Sequence, residues 1–395
     1  MSEDEAGERH ASWLELFFDL VAVAGIGLLA EQLRGDPSAA DVARFSLVYL
    51  AFWTAWANIT VYGSVAGDRV RLTTMLLAML GLAVMAAAVA HVRDDHAVAF
   101  AAAFVFVRIV GGAMWQRGQV VVDWPLAHLG GGALPWIASL WVGAPGRYWL
   151  WGLGLAVDLL VMFTVTGTQL MEGAQKRFDH AAASRHRAAE RGDRPRPKAI
   201  LALEVVTPDR SHLAERLGLY VIIVLGEGII QVTSAASDVR WDLHLGVLAA
   251  GAFAVLVGIW ALALLYGHAG VPHLATDGLP THLAMAFHCF STGAIAALAA
   301  GLGAATEHAD GHVPAGISWV LGVSAAVYFG IAMVAGAMAG SSRRWILGWA
   351  LPCTLVPLLV VPLGFHVGAA WLVWPLVAAV AWHLSYELHP EQATT

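Results

Sequence analysis

Charge is scarce in this chain. Asp, Glu, Lys and Arg make up 13% of its 395 residues, roughly half the share found in soluble domains. Cysteine is nearly missing: Cys289 and Cys353 are the only two, each inside an apolar run, which excludes a disulfide framework and a thiolate metal cluster. Glycine-rich phosphate loops, serine-nucleophile elbows and nucleic-acid motifs do not occur, so nucleotide hydrolysis, serine hydrolysis and nucleic-acid binding have nothing to rest on. The first residues bring Glu3, Asp4, Glu5 and Glu8 instead of the basic start of a secretory signal, and the first apolar segment is expected to be retained.

Hydrocarbon takes the place of charge. Hydrophobic residues are 58% of the total, the net charge is −7, and apolar runs follow one another along the chain. Runs of about 20 residues match the thickness of a bilayer core, so the pattern predicts an all-α, polytopic transmembrane helical bundle of about twelve spans. They centre on approximately 14–31, 42–62, 72–92, 96–115, 126–143, 148–170, 213–236, 244–266, 282–303, 314–339, 345–364 and 369–387. Pro135, Pro352, Pro357 and Pro362 interrupt the fifth and eleventh spans, which neighbouring helices in a membrane tolerate. Trp13, Trp115, Trp124, Trp141 and Trp241 fall near span ends and are expected to form an interfacial aromatic belt.

Orientation follows from the basic residues. Lys176, Arg177, Arg185, Arg187, Arg191 and further Arg and Lys residues crowd the segment 171–211, which the positive-inside rule places in the cytoplasm together with both termini. That segment opens as a polar helical stretch and turns to RPRPK, whose prolines favour extended chain. It is expected to set topology and to touch anionic lipid, with no nucleic-acid partner.

The two sides of this linker echo each other. Trp56-x5-Tyr62-Gly63 recurs as Trp260-x5-Tyr266-Gly267, Gly111-Gly112-Ala113-Met114 resembles Ala335-Gly336-Ala337-Met338, and Ala133-Leu134-Pro135 matches Ala350-Leu351-Pro352. The expected organisation is a first six-span repeat over 1–170, a linker over 171–211 and a second six-span repeat over 212–395. Copies six spans apart enter the membrane from the same side, which implies a parallel repeat about an axis along the membrane normal.

Against this apolar background the ionisable residues stand out. Glu15 and Asp19 are four positions apart and share one helix face, with Asp19 about 6 Å deeper. In the seventh span His212-x2-Glu215 sits at the head, which makes Glu215 the expected counterpart of Glu15. Glu227 lies about 18 Å further along the axis, near mid-bilayer, with Gly226 and Gly228 beside it to admit another backbone. A charge at a helix centre costs about 2.5–3.5 kcal/mol on insertion, so such groups face the bundle interior, paired or protonated. Arg216 and Arg108 are the candidate cationic partners, and Asp158 is a further buried acid; Ala332 stands where a repeat would place a second Arg108.

These residues carry a resemblance. The head Glu15-Leu16-Phe17-Phe18-Asp19-Leu20-Val21, with His212-x2-Glu215-Arg216 and Leu225-Gly226-Glu227 in the seventh span, resembles the bacterial low temperature requirement protein A family. The resemblance runs over nearly the whole length and implies a multi-pass protein of the bacterial inner membrane, without an assigned reaction.

Two classes of function remain open from the sequence. One is a secondary transporter whose site is drawn from Glu15, Asp19, Arg108, Asp158, His212, Glu215, Arg216 and Glu227, with a small molecule or ion as partner and no cofactor. The other is an enzyme on lipid or envelope precursors, or a scaffold or sensor, in which the same groups assemble at a headgroup-accessible mouth or lock the bundle. Transport predicts a polar cavity between the halves reaching Glu227; a scaffold predicts a sealed seam with each buried acid paired. Glu307-His308-x-Asp310-x-His312 and His268, His273, His282 and His288 match no standard metal spacing and are expected to be ordinary polar-loop residues.

Overall fold

A computed structural model describes residues 10–67, 70–116, 120–122, 131–165, 172, 176, 204–206, 208–274, 280–362 and 367–387. Most of the basic linker, Asp68–Arg69 and Trp124 lie outside the described residues. Helices dominate: α1 (Trp13–Ala30), α2 (Ala39–Ala66), α3 (Leu72–Val89), α4 (Ala97–Gln116), α5 (Ala133–Ala138) and α6 (Gly146–Thr164) precede the linker. After it come α7 (Arg210–Ser237), α8 (Leu243–Trp260), α9 (Thr281–Glu307), α10 (Ala315–Met338), α11 (Leu351–Val360) and α12 (Ala369–Glu387). Among the described residues, seven helical segments are long and apolar enough to cross a membrane: α1 with its 3-10 extension, α3, α7, α8 with its π turn, α9, α10 and α12.

Local chemistry sets several boundaries. Ser12 and Ser38 each accept a bond from the backbone N–H three residues on, while Glu15 and Asp41 reach back to them, so α1 and α2 both start in a capping box. Asp209 and Asp242 cap α7 and α8 in the same side-chain-to-backbone way. Proline shapes the eleventh segment, because Pro352 lacks the N–H that a continuous helix requires. Arg343–Trp345 passes into a π turn at Ile346–Ala350 before α11 begins. In the fifth segment residues 126–130 lie outside the described residues, and the six-residue α5 runs on into a 3-10 turn at Ser139–Trp141. Two short strand pairs were not legible in the sequence. β1 (Val120–Val122) runs parallel to β2 (Glu204–Val206), and β3 (Gly267–His268) pairs antiparallel with β4 (Val271–Pro272).

Packing follows one scheme on both sides of the linker. In the first set α1 touches α2 and α3, α3 touches α4, α4 touches α5, α5 touches α6, and α6 returns to α2. The same pairings recur six helices later, from α7 with α8 and α9 round to α12 against α8. The two sets meet through α1 against α7, with α2 packing on α7 and α9. The echoed residues differ in setting, however: Trp56 is fully buried, whereas Trp260 is 40% exposed at the start of a π turn. Trp13, Trp141 and Trp241 are all strongly exposed at helix ends, as a belt requires.

Candidate functional site

The centre of the molecule is built where α1 meets α7. Glu15 is the third residue of α1 and His212 the third of α7; Asp19 and Arg216 follow four residues later on each helix. An acidic i, i+4 pair therefore faces a basic i, i+4 pair, level by level. Counted from the caps, the counterpart of Glu15 is His212 and not Glu215, and that of Asp19 is Arg216. Matching the two helices by residue type hid this. Glu215 turns away to the N-terminal segment, accepting the Ala11 N–H at 3.1 Å and lying 3.5 Å from His10.

The deeper level is tight. Arg216 Nε donates to Asp19 Oδ2 at 2.9 Å and its Nη2 to Asp19 Oδ1, giving a bidentate pair with both side chains wholly buried. Trp56 Nε1 adds a third bond to Asp19 Oδ1 at 2.7 Å. Behind Trp56 stand Tyr220, with ring centroids 4.2 Å apart, and His288 at 5.6 Å. His288 is satisfied on both sides, since Trp53 Nε1 donates to its Nδ1 at 3.2 Å while its Nε2 faces the Leu217 carbonyl at 3.1 Å. A proton added to Nδ1 would lose the Trp53 bond, so this histidine is a structural element of the core and not a loop residue.

The upper level is looser. Glu15 Oε2 accepts from Ser12 N at 2.9 Å and Ser12 Oγ at 2.8 Å, and its two oxygens lie 3.4 Å from His212 Nε2 and 3.3 Å from Arg216 Nη1. Ser64 Oγ donates to the Thr60 carbonyl at 3.2 Å and meets His212 Nδ1 at 3.1 Å, an arrangement in which Nδ1 carries the hydrogen. Gly63 gives this level its room: a β-carbon there would stand 2.8 Å from Glu15 Oε1.

The remaining sequence candidates fall into two separate groups. Arg108 and Asp158 pair with each other at 3.0 Å, both buried, between α4 and α6; Arg108 is thus no partner of Glu15 or Asp19. Glu227 is half-buried on α7, accepts from Gln231 Nε2 at 2.8 Å, and packs onto Gly27 of α1, whose β-carbon would lie 2.5 Å from the Glu227 carboxyl carbon. The glycine that admits Glu227 is therefore across the seam. Of its sequence neighbours, Gly228 lets Ala299 and Leu256 approach, while Gly226 faces open space. Gln231 continues the contact by accepting from Arg34 Nη2 at 3.3 Å, and Arg34 reaches Glu307 at 3.5 Å.

Trp56, Thr60, Ser64 and Tyr220 were missed as site residues. A signal for most of them exists, because Tyr49, Trp53, Trp56, Thr60 and Ser64 recur every three or four residues along α2 and so line one helix face. The histidines divide. His308 bonds the Ala304 carbonyl at 2.9 Å, whereas His273 Nε2 meets His383 Nε2 at 2.8 Å in a mostly buried pair. Asp242, His244 and Asp310 have ligand atoms within 4.8 Å of one another at the surface, a grouping the linear spacing did not show. Within it the Asp242 carboxyl is held below its usual range by the Leu245 backbone N–H that it caps.

The description "Bacterial low temperature requirement A protein (LtrA)" belongs to a family whose sequence profile matches residues 10–383. An uncharacterized protein of Rhizobium meliloti (strain 1021) is 26% identical over 241 residues, covering 59% of this chain and 53% of the relative. The aligned stretch thus spans about half the length of that relative. No solved structure matches. With the profile covering nearly the full length, from just before the α1 cap to the last turns of α12, the chain belongs to the bacterial low temperature requirement A family and is a multi-pass membrane protein.

Proposed function

We propose that this protein is a proton-coupled secondary transporter of the bacterial inner membrane, with both termini in the cytoplasm and two six-helix halves meeting along α1 and α7. The recurrence of the same helix pairings six helices apart supports the two-half reading. The single observation that carries the proposal is the arrangement of ionisable groups at the seam. Among the described residues, Glu15 and Asp19 face Arg216 and His212 in a site with almost no solvent exposure. Buried charge is costly unless paired, and His212 lies 3.4 Å from Glu15. One proton, held between His212 and Glu15, changes the charge of the seam by one unit.

Proton occupancy is then linked to the contact between the halves. With the proton bound, α7 and α1 attract at both levels; without it, the upper level weakens while Asp19 and Arg216 keep the lower one. A closed seam with Asp19 fully paired is the pattern expected of a scaffold; the transporter reading takes it as an occluded state. A cavity of about 580 Å³ lies elsewhere between the halves and is mostly apolar. An enzyme would need a nucleophile near the acids. Ser64, the hydroxyl beside His212, directs its proton to the Thr60 carbonyl, which weighs against that alternative.

The test uses the purified protein in liposomes exposed to a bacterial metabolite extract, with and without an inward proton gradient, and mass spectrometry of the liposome contents. The proposal expects solutes that accumulate only under the gradient and no longer do so with Asp19→Asn or His212→Gln. Gradient-independent contents, or accumulation unchanged in both variants, would overturn it.

A further inference from the structure

We infer that the seam between the halves holds the acyl chain of a bilayer lipid in a dedicated groove between α2, α9 and α10. The groove is the cavity of about 580 Å³ and does not touch the Glu15 and His212 level, so it stands independently of proton exchange there. Its inner wall is buried: Leu33, Phe45, Tyr49, Cys289, Ala294 and Val320 each have less than 7% of their surface exposed. Its rim is the opposite, with Phe290, Trp319, Val323 and Val327 exposed by 40% or more. A rim exposed on membrane-spanning helices meets hydrocarbon, so the cavity opens sideways into the bilayer.

The polar groups in the wall decide the chemistry of the occupant. Ser46 donates to the Val42 carbonyl, Ser324 to the Val320 carbonyl, and Tyr49 to the Cys289 carbonyl, each at hydrogen-bond distance. The hydrogen of each of these hydroxyls is thus turned back onto the protein, and the wall of the groove is mostly apolar. A polar solute or a column of water would lose hydrogen bonds on entering. A hydrocarbon chain loses none and removes apolar wall from solvent.

Length points the same way. From Ala39 to Tyr49 on α2, and from Gly316 to Val327 on α10, the lining covers eleven and twelve residues, roughly 15 Å at the helical rise, or about one leaflet of the hydrocarbon core. The groove begins where helices begin, beside the bond from the Gly316 N–H to Asp36, which is the level of a lipid headgroup. It ends against Tyr49 and Cys289. A chain entering from the leaflet on the Asp36 side would lie alongside α2 and end at Tyr49.

The experiment uses the protein in nanodiscs containing a phosphatidylglycerol that carries a photoactivatable diazirine within one acyl chain, followed by mapping of the labelled peptides. The inference expects label on Phe45 and Tyr49, both buried and out of reach of lipid that merely surrounds the protein. That label should fall to background in Ala297→Phe, which fills the groove, and persist in Val257→Phe on the exposed face of α8. Ala297→Leu, a smaller change, and competition by excess unlabelled lipid give the same readout if Ala297→Phe does not fold. Label confined to the exposed rim, or wall label unchanged by both Ala297 variants and by competition, overturns the inference.

Discussion

Asp19 and Arg216 each lie seven residues beyond the capping residue of their own helix, and they meet as a fully buried bidentate pair. Two helices that start at the same level and carry complementary groups at the same steps have their register fixed by charge. A slide of one turn would put Glu15 against Arg216 and leave Asp19 with no cation. The lower contact therefore locks the seam, and the upper contact of Glu15 with His212 is the one free to change with protonation.

Removing one partner of the lower pair is expected to cost more than removing both charges. Arg216→Gln leaves two buried carboxylates facing an amide and should destabilise by about 3–5 kcal/mol, the usual cost of an orphaned buried charge. Adding Asp19→Asn should recover part of that loss. Thermal unfolding of both single variants and the double variant in detergent measures the coupling; equal losses for the single and double variants would mean that the pair is solvated.

Gly27 should tolerate no side chain while Glu227 is present. The carboxyl carbon of Glu227 lies 2.5 Å from where a β-carbon would be, so Gly27→Val is expected to destabilise by about 1–3 kcal/mol, the range for an overpacked core. Glu227→Ala in the same chain should relieve it. If the second substitution adds to the first, the two residues do not share that space.

Ser12 contributes through two routes that can be separated. Ser12→Ala removes the cap of α1 and one of the two bonds from Ser12 to Glu15 Oε2, with an expected loss of about 1 kcal/mol; Ser12→Gly should cost only a few tenths. Stability measured on both variants checks the cap. If proton-driven uptake falls in Ser12→Ala with folding intact, loss of the hydroxyl bond has altered the upper level as well.

Arg108 and Asp158 share no partner with the central cluster, so their effects should add to it. Asp158→Asn combined with Asp19→Asn is expected to match the sum of the single variants within about 0.5 kcal/mol. A larger deviation would show that the two ion pairs communicate.

Much of this arrangement was legible in the sequence, for identifiable reasons. Apolar runs give helices whatever surrounds them, and the four-residue spacing of Glu15 and Asp19 puts them on one face without reference to any neighbour. Arg216 could be named as a partner because cations are so few. What stayed hidden depends on a second helix. Glu215 looked like the counterpart of Glu15 by residue type, whereas alignment of the caps Ser12 and Asp209 selects His212. Gly226 and Gly228 looked like the room for Glu227, whereas the space is on α1 at Gly27. His288, assigned to a loop region by its neighbours in sequence, is held inside α9 by Trp53. The irregularity of the eleventh segment was signalled by proline, but the π turn at Ile346–Ala350 that absorbs it was not.

The central claim is a single exchangeable proton at the contact of His212 with Glu15, and histidine-selective 15N NMR of the protein in lipid tests it most directly. The His212 signals, assigned by their loss in His212→Gln, should pass from one protonated ring nitrogen to two as pH is lowered, and Glu15→Gln should abolish that change. A ring that keeps one proton throughout, or that titrates identically with Gln at position 15, contradicts the account.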